Sequence, residues 1–230
     1  MSVSLPAKVA LGTLAGGATV TGGALAYREI SKESPKTKRS IRELIANLKK
    51  DKRIISKSEA GNSKEWQEAW KLYKGDHQNS ESNPFSISSE KLKDSVSDQN
   101  APTEFMSKCE SLSSEEVLDE KDSKYQDVLK YCTRNTLVQD LVLESGRNLI
   151  NETNGNWSES WKSYRAANSG KGNNQDTWKL SDWESKKNDD STISDNLKVK
   201  CKEKLGEVSG VKSVQDFQDV VNWCSEPRQK

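Results

Sequence analysis

Trp66-Gln-Glu-Ala-Trp70-Lys-Leu-Tyr73 and Trp157-Ser-Glu-Ser-Trp161-Lys-Ser-Tyr164 are one phrase written twice, W-x-x-x-W-x-x-Y. The spacing on either side repeats as well. Cys109 lies 43 positions after Trp66, and Cys201 lies 44 after Trp157. A second cysteine follows each of these by 23 positions, at Cys132 and Cys224. Tyr125-Gln-Asp-Val128 precedes Cys132 as Phe217-Gln-Asp-Val220 precedes Cys224, with Tyr131 and Trp223 directly before the cysteines. Upstream, Leu44-Ile45 and Ile54-Ile55 match Leu141-Val142 and Leu149-Ile150. Tryptophan and cysteine are rare, so agreement at this many positions marks an internal duplication. The copies are residues 40–134 and 135–226.

Working outward, each copy reads as short helices. Ile41, Leu44, Ile45 and Leu48 fall at i, i+3, i+4 and i+7, the stripe of an amphipathic helix. Leu137 and Leu141 repeat it. Trp66, Trp70 and Tyr73 share one helical face, as do Trp157, Trp161 and Tyr164. Aromatic stripes at this spacing are more often core than binding platform, and these six residues are assigned to the core. Phe105 and Cys109, then Tyr125, Val128, Leu129 and Cys132, make two further stripes. Asn62-Ser-Lys-Glu65 and Ser181-Asp-Trp-Glu184 resemble helix-start boxes. Polar stretches at Gly75–Asn83, Ser95–Pro102, Ser169–Asp176 and Ser185–Asp195 read as linkers. Sustained period-2 alternation is absent, so no strand is expected and the fold class is all-α.

The cysteines admit two readings: small buried apolar residues, or bridges Cys109–Cys132 and Cys201–Cys224. Even pairing, repeated, favours the bridges. Each would close a loop of about 24 residues, worth about 3 kcal/mol in the chain-entropy model. Copies this poor in apolar residues (32% of the chain, against 31% charged) gain from such a staple.

Composition excludes several functions. Thirty-six basic residues nearly balance 35 acidic ones, and both signs are interspersed, so no nucleic-acid partner is expected. The single histidine, His77, lies in a polar stretch, and the matching stretch 166–170 carries none. No catalytic residue, metal or cofactor is therefore assigned; phosphate loops and nucleophile elbows are also missing. Trp178 and Trp183 fit the core less obviously, and Trp183 is the aromatic singled out as a possible contact residue. Asn151-Glu-Thr153 and Asn156-Trp-Ser158 match the weak glycosylation pattern.

Val9 to Tyr27 holds no charge and is bounded by Lys8 and Arg28. Its 19 residues would span about 28 Å as a helix, close to the thickness of a bilayer core. Gly12 and Gly16 form a G-x-x-x-G pair. Three readings stand: a signal peptide cleaved after Ala26, a single-pass anchor, or a flexible small-residue arm. Basic residues at 28–42 would by themselves hold the downstream chain on the cytoplasmic side. The exported reading is preferred because of the paired cysteines.

An Ala/Gly-rich N-terminal segment ending near Ala24-Leu-Ala-Tyr27, a W-x-x-x-W-x-x-Y element and widely spaced cysteine pairs together resemble the expanded paralogous families of uncharacterised proteins in haemotropic mycoplasmas. The resemblance implies a wall-less, blood-borne bacterium and a membrane-associated, surface-displayed, variable protein. It carries over no functional residue. The expected organisation is a signal peptide or transmembrane anchor at 1–27, a basic linker at 28–39, helical copies at 40–134 and 135–226, and a tail at 227–230. The expected function is a surface-exposed binding or antigenic protein without catalytic activity. Its partner would be a protein or glycan, the host being one candidate source. A cytoplasmic-side scaffold and, at lower rank, a secreted degradative enzyme are the alternatives.

Overall fold

The computed structural model describes residues 37–93, 100–189, 192–211 and 214–228. The segment 9–27, expected as an apolar helix, lies outside them. Among the described residues, no helix is long and apolar enough to cross a membrane.

The first copy opens with strand β1 (Arg39–Ser40) and helix α1 (Ile41–Leu48). Ser40 Oγ accepts the Glu43 amide and starts the helix, and Ile41, Leu44 and Ile45 turn inward, as their spacing predicts. Strand β2 (Lys52–Ile54) leads to α2 (Lys64–His77), whose cap is Ser63, inside the predicted box. Next come α3 (Ser89–Lys93), α4 (Thr103–Ser113), β3 (Glu116–Val117), α5 (Ser123–Tyr131) and β4 (Thr133–Asn135).

The second copy repeats the order. It consists of α6 (Val138–Glu144), β5 (Arg147–Leu149), α7 (Ser158–Ala167), α8 (Trp183–Lys186), α9 (Asp195–Leu205), α10 (Val214–Cys224) and β6 (Ser225–Pro227). Two cores result. One collects buried residues from Ile41 to Cys132, the other from Val138 to Cys224, with no residue in common.

The all-α expectation needs correction. Helices dominate, but among the described residues three antiparallel two-stranded ribbons join them: β1 with β3, β2 with β4, and β5 with β6. Each strand is two or three residues long, too short to show alternation, and each pairs with a distant segment. Lys52 stands opposite Asn135, and Arg147 opposite Pro227. The ribbons obey the duplication too. The Ser40–Glu116 pairing of copy 1 becomes the single bridge Leu137–Val208 in copy 2. Ile55 and Ile150 each donate a backbone N–H to the carbonyl of the second cysteine, Cys132 or Cys224, at 3.0 and 3.1 Å.

Other boundaries move as well. Helix α2 runs through His77, so the stretch expected to be a linker from Gly75 begins only after it. In α6 the buried residues are Val138 and Val142, while Leu137 and Leu141 are half-buried. Residues 168–177 are not a loose linker. Asn168, fully buried, binds the Thr177 amide and hydroxyl through Oδ1 and the Tyr164 carbonyl through Nδ2.

The copies meet without a spacer, at Thr136, which is 1% exposed. Its N–H donates to Asp51 O and its hydroxyl to Lys50 O, tying it to copy 1, while its carbonyl accepts Ser209 N of copy 2. Arg53 donates to Thr136 Oγ1 and crosses to Glu144 at 2.6 Å. Arg134 grips Asp140 with two parallel bonds of 2.6 and 2.9 Å, and both side chains are largely covered. Burial by itself would raise the Asp140 carboxyl, but Arg134 and the Leu137 N–H outweigh it and hold it below the ordinary carboxylate value.

Candidate functional site

The cysteines close as predicted, Cys109 with Cys132 and Cys201 with Cys224, each with Cα atoms 5.4 Å apart. All six assigned core aromatics are buried: Trp66, Trp70, Tyr73, Trp157, Trp161 and Tyr164. Their frame is reproduced in detail. Trp70 stacks on Tyr73 at 6.1 Å and 16°, and Trp161 on Tyr164 at 6.0 Å and 13°.

Each tyrosine hydroxyl ends on the same buried polar hub. Tyr73 donates to Asn83 Oδ1 and accepts Phe85 N; Tyr164 donates to Asp176 Oδ2 and accepts Trp178 N. Burial, aided in copy 2 by the Asp176 carboxylate, pushes both phenols well above their ordinary value.

Trp183, singled out as a possible contact residue, is buried, with only its edge reaching a surface hollow. It is 2% exposed and donates Nε1 to Lys171 O. Its burial has a volumetric cause. In copy 1, Phe105 packs 5.1 Å from Trp70 and 5.2 Å from Tyr73. Copy 2 has the smaller Leu197 at the equivalent place, and Trp183 brings its ring to within 6.0 Å of Trp161 and 5.8 Å of Tyr164.

His77 also leaves its expected setting. It packs on Tyr73 and lies 3.1 Å from the Tyr131 hydroxyl, which donates to Asp76. The exposed sequon residues Asn151 and Asn156 use their side-chain oxygens to cap local backbone N–H groups. No group of three His, Cys, Asp or Glu is placed to hold a metal among the described residues.

With the aromatics turned inward, the surface features shared by the copies are grooves. In copy 1 a hollow of about 340 Å³ runs between α2 and the β2–β4 ribbon. In copy 2 one of about 560 Å³ runs between α7 and the β5–β6 ribbon. They occupy the same place in the fold. The helix contributes Glu65, Glu68, Ala69 and Leu72 to the first and Asn156, Glu159, Ser160 and Ser163, from the equivalent stretch, to the second. The ribbons contribute Lys52, Thr133, Arg134 and Asn135 in one, and Arg147, Ser225, Glu226 and Pro227 in the other.

The chemistry of the two linings has parted. Glu68 and Glu159 agree, and Lys52 and Arg147 keep a cation. Elsewhere apolar Leu72 faces serine, Lys130 faces Asn222, and Arg134 faces Glu226. Copy 1 therefore offers an apolar floor, with Leu72 44% exposed, between charged walls. Copy 2 offers serine hydroxyls and asparagine amides among charged Arg147, Glu159, Glu226 and Arg228, with Ile150 and Pro227 as its apolar members. No family model, curated protein or solved structure matches this chain.

The groove walls are built firmly. Arg147 donates to Ser225 Oγ at 2.6 Å and to Ser225 O at 3.0 Å, and Ser160 donates to the Trp223 carbonyl. In copy 1, Lys52 bonds Asn135 at 2.8 Å, and Lys130 pairs with Asp76 at 2.7 Å. The Lys130 and Tyr131 hydrogen bonds lower the Asp76 carboxyl. The duplicated grooves escape a reading of the sequence because each joins a helix to a ribbon strand lying far along the chain. The signal that could have found them is the contrast between constant inward positions and changing outward ones in α2 and α7.

Proposed function

We propose that this chain is a membrane-anchored, surface-exposed binding or antigenic protein without catalytic activity, held through residues 9–27 and serving host contact or immune evasion. The observation that carries the proposal is the duplicated groove: one frame, built twice, with unlike linings. Buried frames restrict what can change, whereas exposed groove positions such as Leu72 and Ser163 can change at little cost to folding. A chain with two such grooves on one tether, with hydrogen bonds from both copies meeting at Thr136, can engage two contacts and so gain in avidity. The partner class is protein or glycan. The two disulfides favour an oxidising compartment over the cytoplasm. The resemblance to the surface-displayed families of haemotropic mycoplasmas leads the same way.

A cytoplasmic-side scaffold is the second reading, favoured by the basic residues at 28–42. Protease shaving of intact cells, followed by a thiol count on unreduced protein, separates the two. Accessible copies with no free thiol are expected, whereas protected copies with four free thiols would overturn export. Groove use is tested by adhesion of the full chain to host erythrocytes, comparing Leu72→Glu and Ser163→Glu. Both positions are exposed, so folding is retained. Adhesion that neither substitution weakens would remove the grooves from the function.

A further inference from the structure

Copy 2 carries a second hollow with no counterpart among the described hollows of copy 1. It measures about 370 Å³ and lies between α7, the loop at 168–176 and the end of α8. Arg165, Lys171 and Lys187, one from each segment, enter its lining, and no carboxylate does. This contrasts with the paired grooves, whose linings mix both signs.

The cations are held in place. Arg165 lies over the Trp161 ring at 5.8 Å and donates to Lys187 O at 3.3 Å. Lys187 Nζ lies 3.4 Å from Lys171 O, which also accepts Trp183 Nε1 at 3.0 Å. From outside the lining, the exposed Glu184 pairs with Lys187 at 2.8 Å. The loop is fixed by Asn168 and turns at Gly170, whose φ of 77° is left-handed and suits glycine. In copy 1, Lys74 replaces Arg165 and is fully buried, and the helix continues to His77 where the loop would begin.

We propose that this hollow binds a sulfate or phosphate monoester carried on a sugar-sized group. Three cations lining one hollow, one from each of three segments, suit the three terminal oxygens of a tetrahedral monoester better than the two coplanar oxygens of a carboxylate. The volume exceeds that of a bare oxyanion. Ser169 and Asn188, also in the lining, offer a hydroxyl and an amide to the remainder of the ligand. A pre-set loop reduces the ordering cost of binding. The site does not depend on which side of a membrane the copies occupy, so its test is independent of the export proposal.

The test uses the full chain with its disulfides intact, titrated calorimetrically with glucose 6-sulfate and glucose 6-phosphate. Saturable binding that weakens with added salt is expected, falling about tenfold or more in Lys171→Gln/Lys187→Gln. Lys198→Gln/Lys202→Gln, which removes equal charge elsewhere on copy 2, should leave it unchanged. Tryptophan fluorescence checks that both double variants fold. Tighter binding to phosphoinositide vesicles than to the soluble esters would assign the ester to a lipid headgroup; no gain on vesicles would assign it to a soluble or glycan-borne source. Absence of saturable binding to either ester and to the vesicles, or equal losses in the two double variants, would overturn the proposal.

Discussion

Asp176→Asn should stabilise the second copy, and the duplication itself supplies the reasoning. Asp176 is 2% exposed, and its Oδ2 accepts from Tyr164 Oη at 2.5 Å and Leu180 N at 2.8 Å. Its Oδ1 has no hydrogen-bond partner among the described residues. Copy 1 solves the same problem with Asn83. The Asn83 oxygen accepts from Tyr73 and Ile87 N, and its Nδ2 donates to Ile87 O at 2.8 Å. An asparagine at 176 finds the equivalent acceptor in Leu180 O, which takes one bond from Trp183 N and has a second lone pair. Losing charge assistance in two bonds costs about 1 kcal/mol each. Removing the unpartnered oxygen returns about 1–3 kcal/mol, one new bond adds about 1 kcal/mol, and relief from burying the carboxylate adds more. The net gain is about 1 kcal/mol, or about 4–8 °C in the melting temperature of a domain this size. Tryptophan fluorescence is a suitable assay, since five of the seven tryptophans (157, 161, 178, 183 and 223) belong to copy 2. The reciprocal Asn83→Asp should lose about 2 kcal/mol in copy 1, because it sets an oxygen against Ile87 O. Destabilisation by Asp176→Asn would refute the reasoning and show that the hub depends on negative charge.

Three further outcomes are expected. Arg134→Ala should cost about 3 kcal/mol by leaving Asp140 covered and unpaired, and should remove an acid-sensitive step in denaturant unfolding. Because the Asp140 carboxyl is lowered in the fold, its contribution is full above the ordinary value of 3.8 and is lost as pH falls below it; a variant with the wild-type acid profile would contradict this. Tyr125→Phe should be neutral or gain about 1 kcal/mol in chemical melts, since the buried Tyr125 hydroxyl has no partner among the described residues and copy 2 carries Phe217 there. Cys201→Ser/Cys224→Ser should lower copy 2 stability by about 3 kcal/mol while leaving copy 1 with its own transition, because the two cores share no residue; simultaneous loss of both transitions would show one cooperative unit.

Much of the fold is legible in the sequence wherever a signal is local or carried by rare residues. Helical spacing places Ile41, Leu44 and Ile45, and the two aromatic triads, on inward faces, because periodicity is a property of a single segment. The disulfides follow from counting. The ribbons do not, because a two-residue strand has no period and its partner is set by how the whole copy closes. Trp183 escapes for a related reason: its burial depends on Leu197 being smaller than Phe105, a fact about two positions that meet only in the folded core. Gly75 and Asp76 discourage helix and so suggest a linker at His77, yet packing of His77 on Tyr73 and its bond to Tyr131 extend α2 by that last turn.

The same contrast explains why the copies diverge where they do. The hub at Asn83 or Asp176 fixes how the chain after the tyrosine helix returns to the core. It tolerates only residues whose oxygen can accept from both a phenol and a backbone N–H. The second cysteine fixes the ribbon strand beside it through the Ile55 and Ile150 bonds. Between those two anchors the groove backbone is determined, whatever side chains line it. Exposed positions such as Leu72 and Ser163 can therefore differ completely on the same scaffold. One copy can hold a contact while the other changes it, so duplication of the frame is what allows the surface to vary at little cost to the fold.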